Sequence, residues 1–206
     1  MEIKVLRLGE IAVNCYLLST NKAAVIIDPG FSSPKINEFV EENLNKETLI
    51  LLTHGHFDHI GAVKELKEKY NLKVAIGELD APALMDNNLN LSDLFGADYN
   101  GTTADILVSD GDEITVGDIT FKAIYTPGHT VGGMCYLLGD ILFSGDTLFK
   151  YSIGRTDFPS GDYRTLMNSI KGLLTLSDQT SVLSGHGDET HIGMEKRYNP
   201  FLSERE

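Results

Sequence analysis

Residues 53–59 read THGHFDH. Three of the six histidines in the chain, His54, His56 and His59, share this stretch with Asp58, directly after the apolar run Leu49–Leu52. Three further candidates stand downstream: His129 in YTPGHT, Asp146 in LFSGD and His186 in LSGHG. Packing three imidazoles and a carboxylate into one turn brings no structural benefit. Without a metal the ring nitrogens crowd and some stay unsatisfied. One tetrahedral ion needs three protein ligands and leaves a fourth position for water. Five histidines and two aspartates exceed that need. Two ions use them well, with three histidines on one, two histidines and an aspartate on the other, and a carboxylate bridging. Such a pair, about 3.5–4 Å apart, activates one hydroxide and stabilises a developing oxyanion. Imidazole and carboxylate suit Zn, Fe or Mn, and no thiolate is offered to a softer ion. His191, after DET at a helix start, has no partner in this pattern and reads as non-ligating.

The elements that must position these residues are legible. Residues 2–8, 12–19 and 23–28 alternate or run apolar with β-branched residues and read as strands. SSPKINEFVEENL has a serine cap, an early proline and helical spacing. TLILLT is a short continuous apolar run, as expected of a strand buried on both faces. IGAVKELKEKY predicts a helix and KVAIG a strand. Residues 86–104 are rich in Asn, Asp, Gly and Thr and read as a surface loop, partly helical around Leu91–Phe95. Strands resume at 105–108, 113–116, 119–125, 133–138 and 140–143, punctuated by DGD, VGD and GD turns. DYRTLMNSIKGLLTL predicts a helix capped by Asp162, SVLSG a last strand, and HIGMEKRYN a final short helix. Each candidate ligand lies where an apolar strand stops and a Gly-containing loop begins. Strand ends on one sheet edge hold converging side chains rigidly. The two strand-rich halves predict two sheets packed face to face with helices outside, in one domain spanning 1–206.

Bulk composition narrows the function classes. A hydrophobic fraction of 42% and a charged fraction of 23% are ordinary for a chain that buries a core. With 30 acids against 17 bases the net charge is −13, which repels nucleic acid and anionic membrane. No apolar run is long enough to span a bilayer, and MEIKVLRLGE has no export-leader pattern. Cys15 and Cys135 sit in apolar strand-like runs and read as buried hydrophobes, so a reducing compartment, the cytoplasm, is expected.

THGHFDH, then PGHT-x-G at 127–132, SGD at 144–146 and GH at 185–186, in this order, resemble the metallo-β-lactamase-fold superfamily. VNCYLL and IIDPG near the start share the likeness, which covers nearly the whole chain. The resemblance implies an α/β fold, a four-layer αββα sandwich with the metals at one edge of the sheets. Carried over by position, it implies that His54, His56 and His129 hold one ion, that Asp58, His59 and His186 hold the other, and that Asp146 bridges them. It also implies that Asp58 hydrogen-bonds the attacking hydroxide. Asp28 either supports the site from behind the ligands, as the resemblance implies, or caps the turn before the first helix.

Within the superfamily the chain looks like the glyoxalase II group, the hydroxyacylglutathione hydrolases. That likeness implies two divalent ions, zinc above iron or manganese, and a small-molecule thioester such as S-lactoylglutathione, attacked by a metal-bridging hydroxide. Two departures stand out. The helical domain that follows in true glyoxalase II enzymes is not matched after His186. In SIGRTDFPSGDY, Arg155 matches a basic substrate-binding residue, but Asp157 stands where a tyrosine is expected. Arg155 holds a substrate carboxylate or, as the safer expectation, pairs with Asp157. GRTDF looks instead like short single-domain glyoxalase II-like proteins and like persulfide dioxygenases, which makes a mononuclear iron persulfide dioxygenase the alternative. A β-lactamase commonly carries a cysteine where Asp146 stands. Oligomeric state is not encoded in these patterns.

Overall fold

The structure is a computed structural model describing residues 1–202. Strands β1 (Glu2–Leu8), β2 (Val13–Ser19) and β3 (Ala23–Ile27) form an antiparallel meander. Helix α1 (Pro34–Glu42) crosses to β4 (Glu47–Leu52), which lies parallel to β3. A single turn α2 (Phe57–Ile60) and α3 (Val63–Tyr70) lead to the parallel β5 (Lys73–Gly77). A 3₁₀ turn at Glu78–Leu84 and α4 (Ser92–Phe95) precede β6 (Ile106–Val108), which completes a six-stranded sheet in chain order.

The second half repeats the plan. Strands β7 (Glu113–Val116), β8 (Ile119–Tyr125), β9 (Met134–Leu138) and β10 (Ile141–Gly145) pair antiparallel in succession. A small hairpin, β11 (Leu148–Phe149) and β12 (Ser152–Ile153), and helix α5 (Tyr163–Leu173) follow. Then come β13 (Ser181–Ser184), β14 (Thr190–His191) and α6 (Ile192–Tyr198). The second sheet runs β14-β13-β10-β9-β8-β7, with β10 and β13 parallel.

The two-residue period of the strands sorts side chains into layers. In β3, Ala23, Val25 and Ile27 face the second sheet, where they meet Phe121, Tyr136 and Phe143. Ala24 and Ile26 face the other way, with Ile50 and Leu52 of β4, onto Ile36, Phe39 and Val40 of α1 and Val63 and Leu66 of α3. The outer face of the second sheet, Cys135, Leu142 and Val182, packs on Leu166, Ile170 and Leu173 of α5. Helix, sheet, sheet, helix is the expected αββα sandwich. At about 25 cal/mol per Å² of apolar surface, three such layers make burial the main stabilising term.

Local chemistry agrees with the sequence at most ends. The Asp162 carboxylate accepts from Thr165 N–H at 2.7 Å and caps α5. Ser33 has the extended backbone of a cap, yet its side chain makes no cap bond; Pro34 starts α1 instead. The helix expected over IGAVKELKEKY begins at Val63, because residues 57–60 form their own turn. Both cysteines are free and fully buried. The loop at 86–104 carries one helical turn where expected. Among the described residues no helix is long and apolar enough to cross a membrane.

Candidate metal centre

All seven expected ligands converge at one edge of the two sheets. The THGHFDH turn leaves the end of β4, Asp146 follows β10, His186 follows β13, and His129 lies in the loop after β8. Ligand atoms of His54, His56 and His129 lie within 4.8 Å of one another, as do those of Asp58, His59 and His186, and those of His54, His59 and Asp146. The Asp146 carboxylate stands between the groups. Its Oδ1 is 3.4 Å from His59 Nε2, and its Oδ2 is 3.6 Å from His129 Nε2 and 3.7 Å from His186 Nε2. His191 lies outside these groups, exposed at the start of α6.

Two seams hold the sheets in register there. On one side Met134 N–H donates to Thr53 O at 2.8 Å and the Tyr136 hydroxyl to Leu52 O at 2.8 Å. On the other, Asn14 N–H donates to Gly185 O at 2.7 Å and the Asn14 side chain to Ser184 O at 3.0 Å. Gly185 has to be glycine, since a Cβ would run into the Asp146 carboxylate and the His59 ring.

The back of four of the five imidazoles is occupied. His59 Nδ1–H donates to Asp28 Oδ2 at 2.9 Å, His129 Nδ1–H to the Arg155 carbonyl at 2.7 Å, and His186 Nδ1–H to the Ile11 carbonyl at 3.1 Å. His54 Nδ1–H donates to the Thr53 hydroxyl at 3.1 Å, which donates on to Asp28 at 2.6 Å. Asp28 also accepts from Thr53 N–H at 2.8 Å. Of its two expected roles it therefore takes the supporting one, behind both His54 and His59. It sits at φ 51°, a left-handed conformation an aspartate adopts more readily than most residues. Bonds of this kind fix the tautomer and aim Nε2 at a metal.

The Nε2 atoms of His54, His56, His59 and His129, and Asp146 Oδ1, are buried and have no hydrogen-bond partner. Each such orphan costs about 1–3 kcal/mol. Together they rival the net stability of a typical domain, so packing does not account for them. Divalent cations bound between these groups would satisfy all of them, and the donor set fits such ions.

The two ends of the cluster differ in charge. Burial and the surrounding imidazoles push His54 and His56 well below the ordinary histidine value, so both are neutral. Burial works against His59 too, but Asp58, Asp146 and Asp28 overrule it and lift the ring to about 10. Burial alone would raise the Asp58 carboxyl; His59 and His186 hold it below the usual carboxylate range.

Asp80 was not legible in advance. Buried in the 3₁₀ turn, it accepts from Gly55 N–H at 3.0 Å and from Gly132 N–H at 2.7 Å. It thus ties the loop carrying His54 and His56 to the loop carrying His129. Its sequence signal is weak, an acid three residues past an apolar strand, in GELDAP. Arg155 follows the safer expectation: it makes two bonds to Asp157, at 2.8 and 2.7 Å, and lines the cleft over the cluster.

A sequence profile of the metallo-beta-lactamase superfamily matches residues 8–186. The chain belongs to this superfamily. Within it, the chain is 40% identical to the probable metallo-hydrolase YqgX of Bacillus subtilis, over 95% of this chain and 94% of that one. It is 36% identical to the hydroxyacylglutathione hydrolase GloC of Haemophilus influenzae over the full length of both. Among solved structures it resembles the BLEG-1 B3 metallo-beta-lactamase, at 40% identity and TM-score 0.91, covering 98% of this chain and 100% of that one. TTHA1623 in a di-iron-bound form matches at 35% and TM-score 0.87, over 97% and 100%. ETHE1 from Myxococcus xanthus matches at 32% and TM-score 0.78, over 97% and 84%. The superfamily and the cluster together make this chain a divalent-metal-binding protein of the metallo-hydrolase type.

Proposed function

We propose that this chain is a dinuclear metal-dependent hydrolase of thioesters, with S-lactoylglutathione as the first candidate substrate. The observation that carries the reading is Asp146, whose two oxygens reach toward both ends of a seven-residue cluster. His54, His56 and His129 would hold one ion, Asp58, His59 and His186 the second, and Asp146 both. The donor set suits zinc first, with iron or manganese acceptable. Bound ions supply Lewis acidity, lowering the pKa of a water and drawing charge from a carbonyl oxygen.

The remaining work falls to side chains. Asp58, kept ionised, accepts a hydrogen bond from the attacking water and turns its lone pair toward the carbonyl carbon. Asp28 and Thr53 hold His59 and His54 in one tautomer. As the C–O bond forms, the water gives up its proton through Asp58 to solvent, the C–S bond breaks, and the thiolate leaves with its electron pair. A thiolate is stable enough near neutral pH to leave with little protonation, so no dedicated acid is needed. Likeness to GloC supports the thioester class. Arg155 is a candidate substrate contact at the cleft wall. The net charge of −13 favours a small-molecule partner over nucleic acid. Two buried free thiols fit a cytoplasmic, reducing location.

A second reading, a mononuclear iron dioxygenase acting on a thiol persulfide, rests on GRTDF at 154–158 and gains weight from the likeness to ETHE1. The deciding experiment pairs metal content per chain, on protein purified without chelators, with S-lactoylglutathione hydrolysis. Close to two ions per chain with turnover upholds the hydrolase. One iron, no hydrolysis, and oxygen uptake with glutathione persulfide transfers the assignment. A β-lactam assayed in parallel tests the activity named for BLEG-1.

A further inference from the structure

The cleft above the cluster has a volume of about 380 Å³. Away from the proposed ligands, its walls are Phe57, Leu91, Phe95, Phe149, Ile153 and Phe158, with Ile11 at the rim. Among the described residues, the polar ones there are Ser152 and Arg155. Three of the aromatics form a continuous wall. The Phe57 and Phe95 rings lie 5.3 Å apart and the Phe95 and Phe158 rings 5.8 Å, and Phe158 reaches His56 at 5.9 Å. Arg155, the one cation lining the cleft among the described residues, is already engaged. Arg155 gives two bonds to Asp157, and its guanidinium stacks 3.8 Å over the Phe158 ring.

The lip is built rather than adventitious. Phe57 N–H, in the ligand-bearing turn itself, donates to Asn90 O at 2.9 Å. The Asn90 side chain donates to Ala83 O at 2.9 Å. Leu91 is held at φ 68°, a conformation a leucine rarely adopts, and is nonetheless 4% exposed. That backbone turns Leu91 into the cleft and places Phe95, 53% exposed, at its mouth. Half-exposed aromatics around a polar centre cost solvation unless something apolar covers them.

We propose that this cleft selects, among thioesters, those with an uncharged, apolar acyl arm, through the wall of Phe57, Phe95 and Phe158. The proposal rests on the thioesterase reading and sharpens its substrate class. A hexanoyl or phenylacetyl arm covers the aromatic wall and displaces its water.

The test uses the metal-loaded chain and two readouts. The first is kcat/KM for acetyl, hexanoyl and phenylacetyl thioesters of the neutral thiol N-acetylcysteamine, beside S-lactoylglutathione. The second is calorimetric binding of the uncleavable S-methyl and S-hexyl thioethers of the same thiol. Each buried methylene strengthens binding severalfold, so a half-open cleft is expected to favour hexyl over methyl, and hexanoyl over acetyl, by at least about tenfold. Phe95→Ala and Phe158→Ala should each collapse that ratio toward one. Leu94→Ser, exposed beside Phe95 but outside the cleft wall, should leave ratio and rate unchanged. Equal binding of both thioethers, or a ratio untouched by Phe95→Ala and Phe158→Ala, overturns the proposal whether or not there is turnover. Selective thioether binding with no hydrolysis of any thioester overturns the thioesterase reading instead and leaves the apolar selectivity standing.

Discussion

The two ends of the cluster use the same imidazole donors to opposite electrostatic effect. His54, His56 and His129 are 2%, 3% and 5% exposed, and His54 and His56 are driven neutral by burial and by one another. His59 is equally buried but faces Asp28, Asp58 and Asp146, and its ring is lifted to about 10. His186 beside it keeps 27% of its side chain exposed. One end is dry, and its His54 and His56 rings are neutral and ready to accept a cation. The other is anionic and holds protons that a cation must displace. Burial alone therefore does not set the charge of a buried histidine. The carboxylates within reach decide it.

The largest expected effect breaks the comparison by removing what joins the two ends. Asp146→Ala should lose metal and activity together, lowering kcat/KM by on the order of 1,000-fold, the upper range for one electrostatic group in a site. Elemental analysis beside a rate measurement checks this. A variant with full metal and full rate would falsify the bridging role.

A smaller effect follows from the support both ends share. Asp28→Asn keeps the shape but weakens the hold on His59 and on the Thr53–His54 relay. Competitive chelator titration should show metal affinity reduced about 10–100-fold at both ends, the usual cost of losing such a partner. Loss at one end only would mean that the relay through Thr53 carries nothing.

The smallest effect sharpens the contrast in the metal-free chain. His54 and His56 have depressed values, so their stabilising contribution is present above 6.5 and is lost as pH falls below it. His59 has a raised value, so its contribution is full below 6.5 and is lost as pH rises toward about 10. Thermal melts against pH should show Tm falling on both sides. His54→Gln should flatten the acid limb and His59→Gln the alkaline one. The same limb responding to both variants would show that the two ends do not differ in charge.

Much of this was legible in residues taken one at a time. Period-two alternation gave the strands, and the apolar runs of β3 and β4 gave their burial, because a strand covered on both faces has no solvent side to mark. The seven proposed ligands stood out because histidine and aspartate at strand ends are costly without a purpose. Less visible were the short elements. The hairpin Leu148–Ile153 and the 3₁₀ turn Glu78–Leu84 are too short to carry a period. The break between α2 and α3 was hidden because Ile60 and Val63 fit one continuous helical stripe.

The sequence by itself determined the layers, the donor set and the acidic surface, since each follows from residue type and local spacing. Tertiary structure decided everything that depends on distance across the chain. It brought Asp28, twenty-five residues before Thr53, behind two ligands, and set Asp80 between two ligand loops. It turned Arg155 toward Asp157 and Phe158, and it gave neighbouring histidines opposite charge preferences. The reason is physical. Hydrogen bonds act over about 3 Å and charge–charge coupling over a few ångströms more, and only the folded chain fixes separations that small.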